Sequence, residues 1–164
     1  MRTIRIKLYK FEELSKEAQQ TAIEHLSDIN VNYDWWESTY EDAANIGLKI
    51  TSFNLDRDRH AKGEFTLSAN EVAANIFRDH GETCETYKTA ELFMEEWQPV
   101  FDEYMQTEEG EDKLLDIEDE FLKSLLEDYS IMLQSECEYL QSDEAIKETF
   151  IVNDYDFTKD GKRY

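Results

Sequence analysis

Apolar and polar positions alternate at the start of the chain. Ile4, Ile6 and Leu8 take one side of an extended segment and Arg5, Lys7 and Tyr9 the other, which predicts a half-buried strand over 2–9. The period then lengthens. Ser15 reads as an N-cap with Glu17 in the favourable first turn, and Ala18, Ala22, Ile23, Leu26 and Ile29 recur at helical spacing, giving a helix near 16–28. A second helix opens after Asp34, with Trp36, Tyr40, Ala43 and Ala44 as its inward stripe and Gly47 as a left-handed stop. Strand period returns over 48–55 and again over 64–67, joined by the polar loop 56–63. Ser68 and Glu71 have capping-box spacing ahead of Val72, Ala73, Ile76 and Phe77, with Gly81 as terminator. The next helix, 83–97, is expected to stop before Pro99, because a residue preceding proline avoids the helical region.

The longest helix runs from about Asp112 to Leu140. Its apolar set is Leu115, Leu122, Leu125, Leu126, Tyr129, Leu133, Cys137 and Leu140, and its polar face carries Asp116, Asp119, Glu120, Lys123, Glu127 and Gln134. Ser142, Asp143 and Glu144 start a short last helix that Asn153 closes. Tyr155 and Phe157 then alternate with polar neighbours as a final strand, followed by a turn at Asp160-Gly161. The order β-α-α-β-β-α-α-α-α-β predicts an α+β fold: a small, mostly antiparallel sheet of about four strands with helices packed on one side. Hairpin 48–67 is expected in the same sheet as strand 3–9, with Ile4, Ile6, Leu8 and Phe53 or Leu55 facing the helices. Residues 1–164 are expected to form one domain, with a flexible acidic segment near 106–112.

Composition narrows the function. With 40% hydrophobic and 13% aromatic residues the chain can fold, and its net charge of −22 at pH 7 repels nucleic acid and anionic lipid, so direct binding to either is not expected. No apolar run approaches the ~20 residues of a membrane span and no secretory leader pattern opens the sequence, so the expectation is a soluble cytosolic protein. The acidity is uneven: residues 1–80 carry a net −4 and residues 81–164 a net −18. Ten carboxylates crowd 102–120 (Asp102, Glu103, Glu108, Glu109, Glu111, Asp112, Asp116, Glu118, Asp119, Glu120) beside one lysine, Lys113. Such a run reads either as a solvated face or as a binding surface.

Catalytic chemistry is thin. His25, His60 and His80 fall in no zinc or HExxH spacing, and His25 and His80 read as exposed or capping histidines near helix ends. Cys84 and Cys137 form no CxxC and no catalytic signature, and Cys137 reads as a buried inert thiol. No glycine-rich phosphate loop is present. The segments starting at Asp56 and Asp154 lack the glycine or the closing glutamate of a calcium loop. The expectation is a protein without enzymatic activity, cofactor or metal. Of the adjacent pair Trp35-Trp36 one ring faces the core and the other lies over a neighbour or anchors a partner. The cluster Arg57, Arg59, His60 and Lys62 either neutralises nearby carboxylates or makes a local contact.

Several stretches carry a family likeness: KLYKFEELSKEAQQTAIEHL, DWWESTYEDA, GLKITSFNLDRDRHAKGEF, GETCETYKTAELF and YLQSDEAIKETFIVNDYDFTKDGKRY. Together they resemble a family of small acidic proteins encoded by bacteriophages and prophages, with 98–120 as the variable part. The resemblance brings no catalytic motif. It implies a viral origin and a host bacterial cytoplasm as the place of action. Joined to the charge, it gives as the leading expectation an anti-defence inhibitor of anti-CRISPR or anti-restriction type. Its partner would be a basic host defence protein or nuclease complex, met by a DNA-mimic-like surface of Asp102, Glu103, Glu108, Glu109, Glu111, Asp112, Asp116, Asp119, Glu120 and Glu127. The alternative is a phage accessory or host-takeover protein that docks through aromatic residues, with Trp35, Arg57 and Arg59 at the contact and charge serving solubility.

Overall fold

The computed structural model describes residues 1–164 and is α+β. Strand β1 (Tyr9–Lys10) is followed by a 3-10 turn (Phe11–Glu13), α1 (Lys16–His25), α2 (Glu37–Ile46), β2 (Leu48–Asn54), β3 (His60–Phe65), α3 (Ala69–Asp79), α4 (Glu85–Thr107), α5 (Glu111–Leu140), α6 (Asp143–Val152) and β4 (Asp156–Phe157). The element order is the expected one. The four strands, however, form two antiparallel pairs, β1 with β4 and β2 with β3, so the hairpin does not share a sheet with the first strand. The first strand is also far shorter than its pattern. Residues 1–8 hold no regular structure, and Ile4 and Ile6 are 81% and 55% exposed. Alternation marks a segment able to face two environments, but β4 offers a ladder only two residues long, so 2–8 has no neighbour to pair with. No helix is long and apolar enough to cross a membrane.

Contacts group into two units, a central one of residues 36–134 and a terminal one of 1–35 with 135–164. The terminal unit is built on Phe150, which meets Phe11 at 5.3 Å and Phe157 at 5.1 Å between ring centroids, with Leu14, Ala18, Ala22 and Ile146 buried around them. Ser15 accepts the Ala18 N–H at 3.1 Å and Ser142 the Ala145 N–H at 3.2 Å, so both expected N-caps form. Asn30 is buried and satisfied at both ends of its amide: it donates to the Leu140 carbonyl and accepts from the Thr149 hydroxyl.

In the central unit, α2 ends at Gly47 in the left-handed region (φ 97°), as expected, but it starts at Glu37, and Ile46 rather than Ala44 completes its buried stripe. The hairpin loop is shorter than the polar run implied, because His60, Ala61, Lys62 and Gly63 belong to β3. A bulge lies between Ile50 and Ser52. It shifts the alternation by one residue, so Leu48 and Ile50 are buried before it and Phe53 reaches Trp36 and Tyr40 after it. Gly63 sits where a Cβ would strike the Lys49 carbonyl across the ladder, so the close pairing at the bulge requires glycine. The Ser68–Glu71 capping box forms, but α3 stops at Asp79 with His80 extended, one residue before the expected Gly81.

Helix α4 runs through Pro99 instead of stopping before it. Its stripe of Phe93, Trp97, Val100, Phe101 and Tyr104 continues on one face across the proline. Pro99 and Glu95 are both exposed, so the carbonyl that loses its partner stays in water. Packing outweighs the local preference. Helix α5 runs back along α4: Thr89 meets Asp128, Phe93 meets Phe121 and Trp97 meets Glu118. Its buried stripe is Leu114, Phe121, Leu125, Tyr129, Ser130 and Leu133. Leu122 and Leu126 are only partly buried, and Leu115 is 51% exposed, its expected place taken by Leu114. Asp116, Glu120 and Glu127 are exposed as expected, whereas Gln134 is partly buried. Leu125→Ala is expected to cost about 2–5 kcal/mol and Leu115→Ala less than about 0.5 kcal/mol. Urea unfolding of the two variants tests this, and equal costs would show the stripe to be misplaced.

Candidate functional site

Most of the expected acidic surface lies on the last turns of α4, the link 108–110 and the first turns of α5. Glu108 and Gly110 take left-handed backbone (φ 56° and 96°), which lets the chain leave α4 and enter α5 within three residues. Asp102, Glu103, Glu108, Glu109, Glu111, Asp112, Asp116, Asp119 and Glu120 are all exposed, and no ion pair holds any of them. Glu111 and Asp112 also face the positive end of α5, so they stabilise the helix that presents the others. Asp112, Asp116 and Glu120 follow one another at four-residue spacing, which sets neighbours about 5–6 Å apart along a rigid rod.

Asp102 accepts from Gln98 of its own helix at 2.9 Å, and two further carboxylates are tied to other elements of the fold. Glu118 accepts from the Trp97 indole N–H at 3.3 Å, and Glu127 pairs with Arg59 at 2.5 Å. Arg59 also donates to Gln134 at 2.8 Å and to the Ser130 hydroxyl at 3.3 Å. The hairpin is thus clamped to α5 through three of the five N–H donors of the Arg59 guanidinium, the internal-neutralisation reading for that member of the basic cluster. Arg57 lies exposed in the loop beside Asp56 and Asp58. Trp36 meets Phe53 edge-on at 5.5 Å, and Trp35 is half-buried.

A polar cluster inside the central unit gathers residues the sequence reading had not joined. Tyr129 is fully buried and donates to Asp42 Oδ2 at 2.8 Å. Burial first, and then that hydrogen bond, hold its hydroxyl well above the ordinary phenol range. His80, expected as an exposed or capping residue, caps α3 through its backbone, but its side chain is only 9% exposed. Its Nδ1 lies 2.6 Å from the Thr86 hydroxyl oxygen. Its Nε2 lies 3.3 Å from Asp42 Oδ2 but off the hydrogen-bond direction, so the contact is electrostatic and the nitrogen makes no hydrogen bond. Thr89 donates to Asp128 at 2.6 Å, and burial raises that carboxyl above its usual range. Cys84 is exposed at the start of α4, whereas Cys137, expected to be buried, is part-exposed with its Sγ 3.6 Å from Gln141. His25 is exposed at the end of α1, and His60 Nδ1 faces the Asp58 carbonyl at 2.7 Å. No group of three or more His, Cys, Asp or Glu side chains converges to hold a metal.

Only tertiary structure brings this cluster together. Asp42 comes from α2, His80 from the end of α3, Thr86 from the first turn of α4 and Tyr129 from α5, so no sequence spacing announced it. No protein-family model matches the chain, and no curated protein and no solved structure was found to match it.

Tyr129→Phe is expected to cost about 1.5–3 kcal/mol, the worth of one hydrogen bond to a carboxylate acceptor, measurable by chemical denaturation. Asp128 gives a pH test. The folded chain holds this carboxyl's proton to a higher pH than the unfolded chain, so stability falls as pH rises through the window above about pH 4. Asp128→Asn keeps an acceptor for Thr89 and is expected to flatten that part of the stability–pH curve. An unchanged slope would remove Asp128 as its source.

Proposed function

We propose that the chain is a phage-encoded inhibitor of a bacterial defence system, of anti-CRISPR or anti-restriction type, that acts in the host cytoplasm by occupying the basic nucleic-acid-handling surface of a host protein. One observation carries the reading: nine exposed carboxylates, free of ion pairs, stand on and between two helices that aromatic packing pins together. Carboxylates on rigid elements keep their spacing when a partner arrives, so little ordering entropy opposes association. A lysine- and arginine-lined channel built for phosphates is drawn to such a surface at high rate, and the attraction weakens as salt screens it. The family resemblance supplies the viral and bacterial setting.

The test is capture of host proteins from a bacterial lysate, followed by competition with DNA for whatever is bound. Reversing Glu103, Glu108, Glu109, Asp116 and Glu120 to lysine leaves the buried stripe untouched. It is expected to slow association on the order of tenfold or more at low salt. The same number of reversals at Glu12, Glu24, Asp28, Glu136 and Glu138, exposed in the terminal unit, serves as control. Equal losses would indicate a diffuse charge effect. Survival of binding in the first set with loss in Trp35→Ala would assign the contact to aromatic docking.

A further inference from the structure

The terminal unit leaves one segment and one groove uncovered. Residues 1–8 hold no regular structure, and Ile4 and Ile6 are exposed. The segment carries Arg2, Arg5 and Lys7 and no carboxylate, in a chain of net charge −22, and neither arginine has an ion pair. Where α6 begins beside the end of α5, Leu140 and Ala145 floor a groove of about 280 Å³. Its rim is Tyr33, Tyr139 and Val152, each more than half exposed. The polar groups below are already bonded within the fold: Asn30 to Leu140 and Thr149, and Asn153 to the Thr149 carbonyl at 2.9 Å. What stays open is apolar and aromatic surface with one charge, Glu148, which is exposed and has no ion pair. No lysine, arginine or histidine lines the groove. The space is small for a drug-sized ligand and suits one or two aliphatic side chains.

We infer that this groove receives residues 2–6 of a second copy of the chain, with Ile4 between the Tyr33 and Tyr139 rings and Arg2 paired with Glu148. Charge chooses the occupant: a segment with three cations and no carboxylate meets a groove with a carboxylate and no cation. Spacing agrees with it. In an extended backbone Arg2, Ile4 and Ile6 share one side, about 7 Å apart, so an aliphatic group fills the floor while the guanidinium reaches the rim. The phenol faces attract that guanidinium as well. The partner's own segment is a poorer match. Antiparallel registers that set Ile4 beside Ile6, or Ile6 beside itself, put Arg5 opposite Arg5 or Lys7, and like charges face to face weaken a ladder. Each copy offers one segment and one groove, so a reciprocal exchange closes as a two-fold dimer in which the contact is made twice. The inference stands apart from the function proposed above, because its residues all belong to the terminal unit and the acidic face to the central one.

The experiment follows the whole protein by sedimentation from micromolar to millimolar concentration, in about 0.15 M salt so that repulsion between acidic copies is screened. Expected is a monomer–dimer equilibrium with a dissociation constant on the order of 10–100 μM. In a mixture of one preparation labelled at isoleucine methyls and another labelled at tyrosine rings, NMR should show Ile4 of one copy close to Tyr33 and Tyr139 of the other. Arg2→Glu and Glu148→Arg alter exposed side chains, so the fold survives both. Each should weaken the dimer about tenfold or more, since a two-fold contact loses the pair twice. Glu148→Arg is the sharper variant: it makes the chain less acidic, so diffuse repulsion alone would strengthen the dimer. Joined in one chain, the two changes restore the pair with its signs exchanged and should recover most of the affinity. A monomer over the whole range, proximity of Ile4 to the tyrosines of its own copy only, a dimer that Glu148→Arg strengthens or leaves unchanged, or a double variant as weak as either single one would each overturn the inference.

Discussion

Phe121 lies flat on Phe93, with ring centroids 4.1 Å apart and planes 7° from parallel, and touches Phe65 of the hairpin at 5.6 Å. That stack ties α4, α5 and β3 together at one point, and the rest of the central unit is arranged around it. With a net charge of −17 over residues 36–134, the unit cannot surround its helices with apolar surface, so each long helix buries one narrow stripe and keeps its other faces in water. Aromatic rings make such a stripe sufficient, because each ring removes 150–250 Å² from solvent and needs no second row of neighbours. The nine unpaired carboxylates are the other side of the same arrangement. They stand on helices held from behind, and no lysine is needed to hold them in place.

The element order, both serine N-caps, the Ser68–Glu71 box and the left-handed Gly47 were legible in the sequence because each is fixed within about four residues. What failed was whatever depends on a distant neighbour. The alternation of Ile4, Ile6 and Leu8 is a strand pattern, but the chain supplies no ladder for it beyond Tyr9 and Lys10. Pro99 is a local stop signal overridden by Trp97, Phe101 and Tyr104 continuing the stripe past it. The stripe of α5 came out one residue displaced at its start, Leu114 for Leu115. Two adjacent leucines leave the face open, and only contact with α4 chooses between them.

The acidic surface and the polar cluster differ in legibility for the same reason. A surface needs only exposure, so the carboxylates of 102–120 could be counted off the sequence. Of these only Glu118 is held by another residue's buried ring and Asp102 by Gln98 one turn earlier, while Glu127, further along α5, pairs with Arg59. The cluster of Asp42, His80, Thr86 and Tyr129 takes one residue from each of four elements, and each looks ordinary in its own stretch. His80 read as an ordinary helix-end residue, and its backbone does cap α3. Only the packing of Thr86 and Asp42 against its ring shows that the side chain is a buried group whose Nε2 makes no hydrogen bond.

The density of negative charge also couples folding to binding. Like charges along 102–120 repel one another, and salt relieves that repulsion, so added salt favours the compact chain while it weakens attraction to a basic partner. A partner that brings arginine and lysine does locally what salt does in bulk, and it does so only for the folded form that presents the carboxylates together. Binding linkage then makes the partner a stabiliser that grows with the logarithm of the ratio of its concentration to the dissociation constant.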